Sequence, residues 1–241
     1  MENPYESTAL LNEYLLFHYG SPAEIMPWDF GPRGALHFPA RTVAELTDPT
    51  PRNRALDLGC AVGRSTFELS RFCGSVTGID FSRSFIQAAE TIRTAGSLAY
   101  SSLEEAGRAR PLVAALPEGA RPDRVQFEPG DAMHLRESLG NFDLVHAANL
   151  LCRLSTPEFL LHRLPQLVRS GGTLILTTPC TWLEAYTPPA HWPAGSTFDW
   201  LSGVLTPHFE LLHRRDMPFV IREHFRKFQW SVALATVWSR K

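Results

Sequence analysis

Cysteine is scarce in this 241-residue chain, and its placement suggests no staple. Cys60, Cys73, Cys152 and Cys180 stand far apart with no C-x-x-C pair. That sets aside a disulfide framework and leaves reduced thiols in a cytosolic protein as the expectation. The nine histidines form no H-x-x-x-H pattern, so no metal site is expected. Positive charge is in short supply as well: 23 Lys and Arg face 25 Asp and Glu, for a formal net charge of −2. A general binder of phosphate backbones carries a basic excess, so a nucleic-acid partner is disfavoured. No apolar run is long enough to span a bilayer. The start, Met-Glu-Asn-Pro-Tyr-Glu, lacks the positive segment and apolar core of a signal peptide. Repeats and low-complexity linkers are missing too. One cytoplasmic domain with a sizeable core is therefore expected, and 44% apolar and 20% charged residues suit it.

What is present is concentrated in Arg54-Ala-Leu-Asp-Leu-Gly-Cys-Ala-Val-Gly63. It reads as a buried strand running into a glycine-rich turn that opens a helix. The next apolar strand, Ser75-Val-Thr-Gly-Ile-Asp80, closes on an acid. Strand, D-x-G-x-x-x-G turn, helix, and strand ending in a carboxylate is the nucleotide-binding half of a doubly wound α/β domain. A pyrophosphate binder wants G-x-G-x-x-G, whereas here Gly59 and Gly63 follow Asp57. That spacing favours S-adenosylmethionine and resembles the class I methyltransferases, with a Rossmann-like seven-stranded sheet and helices on both faces. Helices are expected over residues 7–19, 35–46, 64–72, 84–95, 156–168 and 197–205. Strands are expected at 55–58, 75–80, 124–128, 142–147 and 173–178, with a closing hairpin from 208–215 and 230–238. Ser7 is a plausible N-cap, and Ser82 or Ser84 another. Residues 20–30 read as a loop. Residues 96–123 are too long for an ordinary connection and read as an insertion, helical or hairpin. The single domain divides into a helical cap (1–50), a cofactor-binding core with that insertion (51–180), and a substrate lid with the closing hairpin (181–241).

The cofactor would be wrapped by Asp57, Gly59, Cys60, Ala61 and Gly63, with Asp57 near the ammonium of its methionyl part. Asp80 would hold the ribose, with Phe81 beside it. Asp131 has the position that reaches the adenine amino group, with Ala132 and Met133 along the ring. Three acids at the carboxyl ends of strands lie where open α/β sheets bind ligands. After the fourth strand, amino-methyltransferases of nucleic acids carry [DN]-P-P-[YF], which clamps a flipped base. This chain has Asn149-Leu-Leu-Cys instead. Asn149 can still donate to or accept from a small heterocycle, and Arg153 suits a substrate carboxylate; a helix-surface arginine is the alternative. Tyr14, Tyr19, Trp182 and Tyr186 carry polar tips and sit where methyltransferase lids lie, so they are candidate substrate contacts. Asn149 and His224 are the candidate catalytic groups.

Asn3-Pro-Tyr5, Tyr14-Leu-Leu-Phe-His-Tyr-Gly20, Ala55-Leu-Asp-Leu-Gly-Cys-Ala-Val-Gly-Arg-Ser65, Gly78-Ile-Asp-Phe-Ser82, Ala148-Asn-Leu-Leu-Cys-Arg-Leu154 and Thr181-Trp-Leu-Glu184 resemble the 4-mercaptohistidine N1-methyltransferase family. That family resembles the carboxyl-terminal domain of 5-histidylcysteine sulfoxide synthase, and the likeness spans essentially the whole chain. It implies methylation of the imidazole π nitrogen of 5-thiohistidine to give ovothiol A. The bifunctional enzyme has an upstream iron-dependent region and this chain starts at Met1, so the last step alone is expected, with a separate sulfoxide synthase as functional partner. The thiohistidine contacts named above come from the residues, not from the resemblance. Two other readings stay open: a methyltransferase of another small metabolite, and a non-catalytic cofactor-binding partner of the synthase.

Overall fold

The computed structural model describes residues 4–241; Asn3 of the Asn3-Pro-Tyr5 signature lies outside the described residues. β1 (Arg52–Leu58) is an interior strand of a seven-stranded sheet, and its last four residues are all buried, as befits a strand covered on both faces. Side-chain alternation sends Leu56 and Leu58 to one face and Ala55 to the other. β2 (Cys73–Asp80), β5 (Val125–Pro129), β6 (Phe142–Ala148) and β7 (Val168–Thr178) lie parallel to it. β8 (Phe209–His224) and β9 (Lys227–Arg240) close the sheet antiparallel, in the order β5-β2-β1-β6-β7-β9-β8.

Helices cover both faces. α1 (Thr8–Tyr19), α3 (Phe38–Ala44), α4 (Arg64–Leu69) and α5 (Arg83–Ala95) build one core through Leu15, Phe17, Phe38, Phe67 and Phe85. α6 (Pro157–Leu167) and α7 (Thr197–Leu205) build the other through Leu160, Leu164, Leu201 and the fully buried Trp238. The Ser7 hydroxyl caps α1 and the Ser82 hydroxyl caps α5, each accepting an amide N–H three residues on.

Three expectations are corrected or decided. The 20–30 loop contains a short helix, α2 (Pro22–Ile25), because Ser21 and Glu24 form a capping box around a proline at the first position. The insertion is a hairpin, β3 (Ser97–Glu105) with β4 (Arg108–Ala115), standing as its own two-stranded sheet. The closing hairpin is much longer than 208–215 and 230–238. Asp216 and Pro218 read as strand breakers, yet β8 is the sheet's edge, where a missing N–H is tolerated, and Met217, Phe219 and Val220 are buried beyond them.

Candidate functional site

The carboxyl ends of β1, β2, β5 and β6 converge on one edge, and the turn after β1 sets its floor. Gly59, Ala61 and Gly63 all take left-handed backbone, with φ of 68°, 47° and 89°. A Cβ at Gly63 would come 2.6 Å from Phe127, so only glycine lets the turn seat against β5. The Gly59 and Cys60 amides donate to the Ile79 carbonyl, which ties the turn to β2. Cys60 contributes backbone alone, since burial pushes its thiol far above the usual range. Ala61 Cβ sits in a conformation unfavourable for any non-glycine residue.

Asp57 has a different task from the expected one. It is 1% exposed; its Oδ2 accepts the Ser65 and Thr66 hydroxyls at 2.7 and 2.6 Å, and its Oδ1 lies 2.7 Å from His146 Nδ1. His146 Nε2 reaches the Thr42 hydroxyl at 3.0 Å. Both carboxylate oxygens are committed beneath the turn, so the acid braces α3, α4 and β6 and does not reach a ligand ammonium.

Asp80 closes β2, next to Phe81 at the cleft wall. Its oxygens accept the Ala61 amide at 2.9 Å and the Ser82 amide at 2.8 Å, which aims the carboxylate while leaving lone pairs for two hydroxyls. Burial pushes its carboxyl up to about 6, against the pull of the two amides. An open cleft of about 460 Å³ runs beside it between Glu6, Phe81, Arg83, Pro129, Gly130 and Asp131. Phe81 is 64% exposed there, a bare ring face open to the cleft. Asp131 Oδ1 accepts the Met133 amide at 2.8 Å, and its Oδ2 lies 2.8 Å from His134 Nδ1. Ala132 is buried, and Met133 Sδ accepts from Thr156 and Ser155, so that methionine anchors the segment before α6. Left-handed turn, aimed acid and open aromatic-lined cleft fit an adenosyl ligand.

Tyr14 lies within reach of the Asp80 charge, and with it stand Tyr5, Tyr186 and Arg153. The Tyr5 hydroxyl is hydrogen-bonded to Tyr186 and Tyr14, and the ring meets that of Tyr14 edge-on at 6.0 Å. Burial raises both phenols, Tyr14 to about 12, so both stay neutral donors and acceptors. Arg153, on the single turn of residues 151–153, stacks over Tyr186 at 4.7 Å and donates to the carbonyls of Cys152 and Thr181. Among the described residues it has no carboxylate partner. Asn149, next to the end of β6, has φ of 54° and accepts the Thr177 hydroxyl on Oδ1 at 3.0 Å. Its Nδ2 makes no hydrogen bond among the described residues, so the amide presents donors.

Other predicted contacts lie elsewhere. The Tyr19 hydroxyl donates to the Val62 carbonyl at 2.7 Å, so Tyr19 buttresses the glycine turn. The Trp182 indole donates to Thr197 at 3.0 Å and meets Trp200 edge-on, which commits it to the α7 core. His224 sits at the end of β8, accepting the Arg226 amide, in a hairpin tip bonded to Glu104 and Trp28. The structure does not bring it to Asn149, because β8 and β9 extend well past the sheet and carry the tip toward the insertion. Tyr5, His18 and Glu6 were not singled out as site residues. The Glu6 carboxylate accepts the Arg83 and Ser84 amides, and the Ser82 and Ser84 hydroxyls donate to the Tyr5 carbonyl, so residues 5–6 strap the first turn of α5. No periodicity marks such a strap; only the signature around Tyr5 hinted at it.

A family model described as a methyltransferase domain matches residues 32–229. The methyltransferase GfsG of Streptomyces halstedii is 27% identical over 134 residues, 55% of this chain; the match spans 40% of that protein's length. The N-methyltransferase NodS of Bradyrhizobium japonicum, in complex with S-adenosylhomocysteine, superposes with a TM-score of 0.55 at 16% identity, covering 95% of this chain and 98% of NodS. The [4+2]-cyclase SpnF superposes with a TM-score of 0.58 at 21% identity, covering 88% of this chain and 73% of the cyclase. Likeness to a methyltransferase and to a cyclase alike is likeness of fold.

Proposed function

The chain belongs to the methyltransferase domain family and shares the S-adenosylmethionine-dependent fold, and on that premise we propose that it methylates the imidazole π nitrogen of 5-thiohistidine, giving ovothiol A. The observation that carries the reading is Arg153. It is a half-buried guanidinium with no carboxylate partner among the described residues, ringed by Tyr5, Tyr14 and Tyr186. A cation kept uncompensated in a phenol-lined recess calls for an anionic ligand group, and an amino-acid carboxylate supplies one. The motif resemblance narrows the amino acid to 5-thiohistidine. The 5-histidylcysteine sulfoxide synthase is then the functional partner, and the cytoplasm, in keeping with four unpaired thiols, the location.

When bound, held by the glycine turn and Asp80, the cofactor would supply an electrophilic sulfonium methyl to the π-nitrogen lone pair and would leave as S-adenosylhomocysteine. The protein's own part is orientation and desolvation. No strong base is needed, because with the proton on the other ring nitrogen the π lone pair is already free. Tyr5 and Tyr14 stay protonated and serve as hydrogen-bond partners for the ring. The substrate sulfur is intrinsically the better nucleophile, so selectivity is the central problem. Asn149, with its Oδ1 held by Thr177, turns its N–H donors outward, and donation to the thiolate keeps that sulfur from the methyl.

The test is mass spectrometry of the purified protein with S-adenosylmethionine and 5-thiohistidine, with histidine in parallel. One methyl on the ring nitrogen of thiohistidine alone is expected. No methyl on either compound, with cofactor bound, moves the activity to another small metabolite.

A further inference from the structure

We infer that His18 binds the carboxylate at the methionyl end of the methyl donor, through an N–H on Nε2. The inference rests on the S-adenosylmethionine reading above and adds a contact that neither the glycine turn nor Asp80 provides.

The position comes first. The last turn of α1 is fastened to the turn after β1 at two points. The Arg64 guanidinium donates to the His18 carbonyl at 3.1 Å, and the Tyr19 hydroxyl donates to the Val62 carbonyl at 2.7 Å. The His18 ring stacks on Tyr14, with centroids 5.9 Å apart and planes at 28°. It therefore stands between the glycine turn and the phenols that border Arg153 and Asp80.

The hydrogen-bonding state follows from burial. His18 is 6% exposed, and its Nδ1 is sealed with no partner. A buried orphan N–H is rarer and costlier than a bare acceptor, so the proton belongs on Nε2. Nε2 also bonds to no protein group, and unlike Nδ1 it is not among the sealed atoms. Burial, and next to it the Arg64 charge, hold the imidazole at about 3, so it is a constant neutral donor and no base. A donor at the accessible edge of a buried ring, with nothing in the protein to give to, is waiting for an acceptor.

The acceptor's class follows from the neighbours. Arg64, paired through Nε with Glu68 at 2.8 Å, donates a second guanidinium N–H to the His18 carbonyl, so a cation borders the same turn. Asp57, which would have met the ammonium, is committed to Ser65, Thr66 and His146. The methionyl end of the donor carries one anionic group, its carboxylate.

Calorimetric titration decides the matter with three ligands: S-adenosylhomocysteine, its decarboxylated analogue, and 5′-methylthioadenosine, which lacks the amino-acid portion. The unmutated protein should prefer the first over the second by about tenfold or more, the worth of one hydrogen bond to a charged group. In His18→Phe, which keeps the ring stack and loses the donor, that preference should collapse while methylthioadenosine affinity holds. His18→Gln, which places an N–H near the same point, should restore part of it. Equal affinity of the unmutated protein for the acid and its decarboxylated analogue overturns the inference without any variant. An unchanged preference in His18→Phe, or equal losses for all three ligands, overturns it as well. Failure of S-adenosylhomocysteine to bind the unmutated protein sinks the parent reading instead.

Discussion

Asp57 and His146 are register partners on β1 and β6, and their side chains meet beneath the glycine turn at 2.7 Å. The acid next to the nucleotide-binding glycines is thus a brace, holding α4 through Ser65 and Thr66 and α3 through His146 and Thr42. Asp57→Ala strands three buried polar groups, Ser65, Thr66 and His146, and should lower stability by about 3 kcal/mol in urea titration. Asp57→Asn keeps one oxygen and should cost about half as much. A loss of cofactor affinity with unchanged stability would instead mark Asp57 as a ligand contact.

Asp80 sets a pH dependence. Its carboxyl is pushed up to about 6, and only the ionised form accepts two ribose hydroxyls. Affinity for S-adenosylhomocysteine should hold above pH 6 and fall by about tenfold per unit below it. In Asp80→Asn that slope should vanish along with most of the affinity. The effect on folding runs the other way. A carboxyl raised on folding favours the native state fully below the unfolded value of about 3.9, and that benefit is lost as pH rises through about 6.

Arg153 should govern substrate, not cofactor. Arg153→Met is expected to raise KM for thiohistidine on the order of tenfold to a hundredfold, with S-adenosylhomocysteine affinity unchanged. Arg153→Lys keeps the charge but loses the stack on Tyr186 and should recover only part. Steady-state kinetics beside calorimetry separates the two effects.

Asn149 carries the selectivity. Alanine there would cost about 1 kcal/mol in backbone strain alone, because φ is 54°. Asn149→Gly avoids that strain and removes only the amide. The glycine variant should melt near the unmutated protein, turn over more slowly, and place some methyl on sulfur. An unchanged rate and methylation site would end the assignment.

The strap of residues 5–6 should be separable from the core. Glu6→Ala removes the acceptor for the Arg83 and Ser84 amides without touching a buried side chain. Hydrogen exchange at those amides should quicken and substrate KM should rise, with the melting temperature nearly constant. Exchange no faster than before would mean that the Tyr5 carbonyl alone holds the strap.

Much of the architecture is legible in the sequence. Local rules place α5, α7, the glycine turn and the acid-tipped β2, because periodicity, capping serines and turn glycines act within a few residues. The nature of the insertion was not legible, since residues 97–115 bury few side chains against the sheet and so lack a decisive period. The reach of β8 was hidden because Asp216 and Pro218 look like breakers until the strand is known to be an edge.

By itself the sequence determined the doubly wound sheet, the acid-tipped β2 and the class of ligand, all consequences of short-range patterning and of a turn with no room for a Cβ at Gly63. Tertiary structure alone decided the assignments that depend on distant partners. Asp57 became a brace because His146 arrives from β6, and Tyr19 and Trp182 turned inward because Val62 and Thr197 offered hydrogen bonds. His224 was carried off by the hairpin, while Tyr5 was delivered by the strap. A side chain's role in a site follows from which hydrogen-bond partners are within reach, and that is a property of the packed chain.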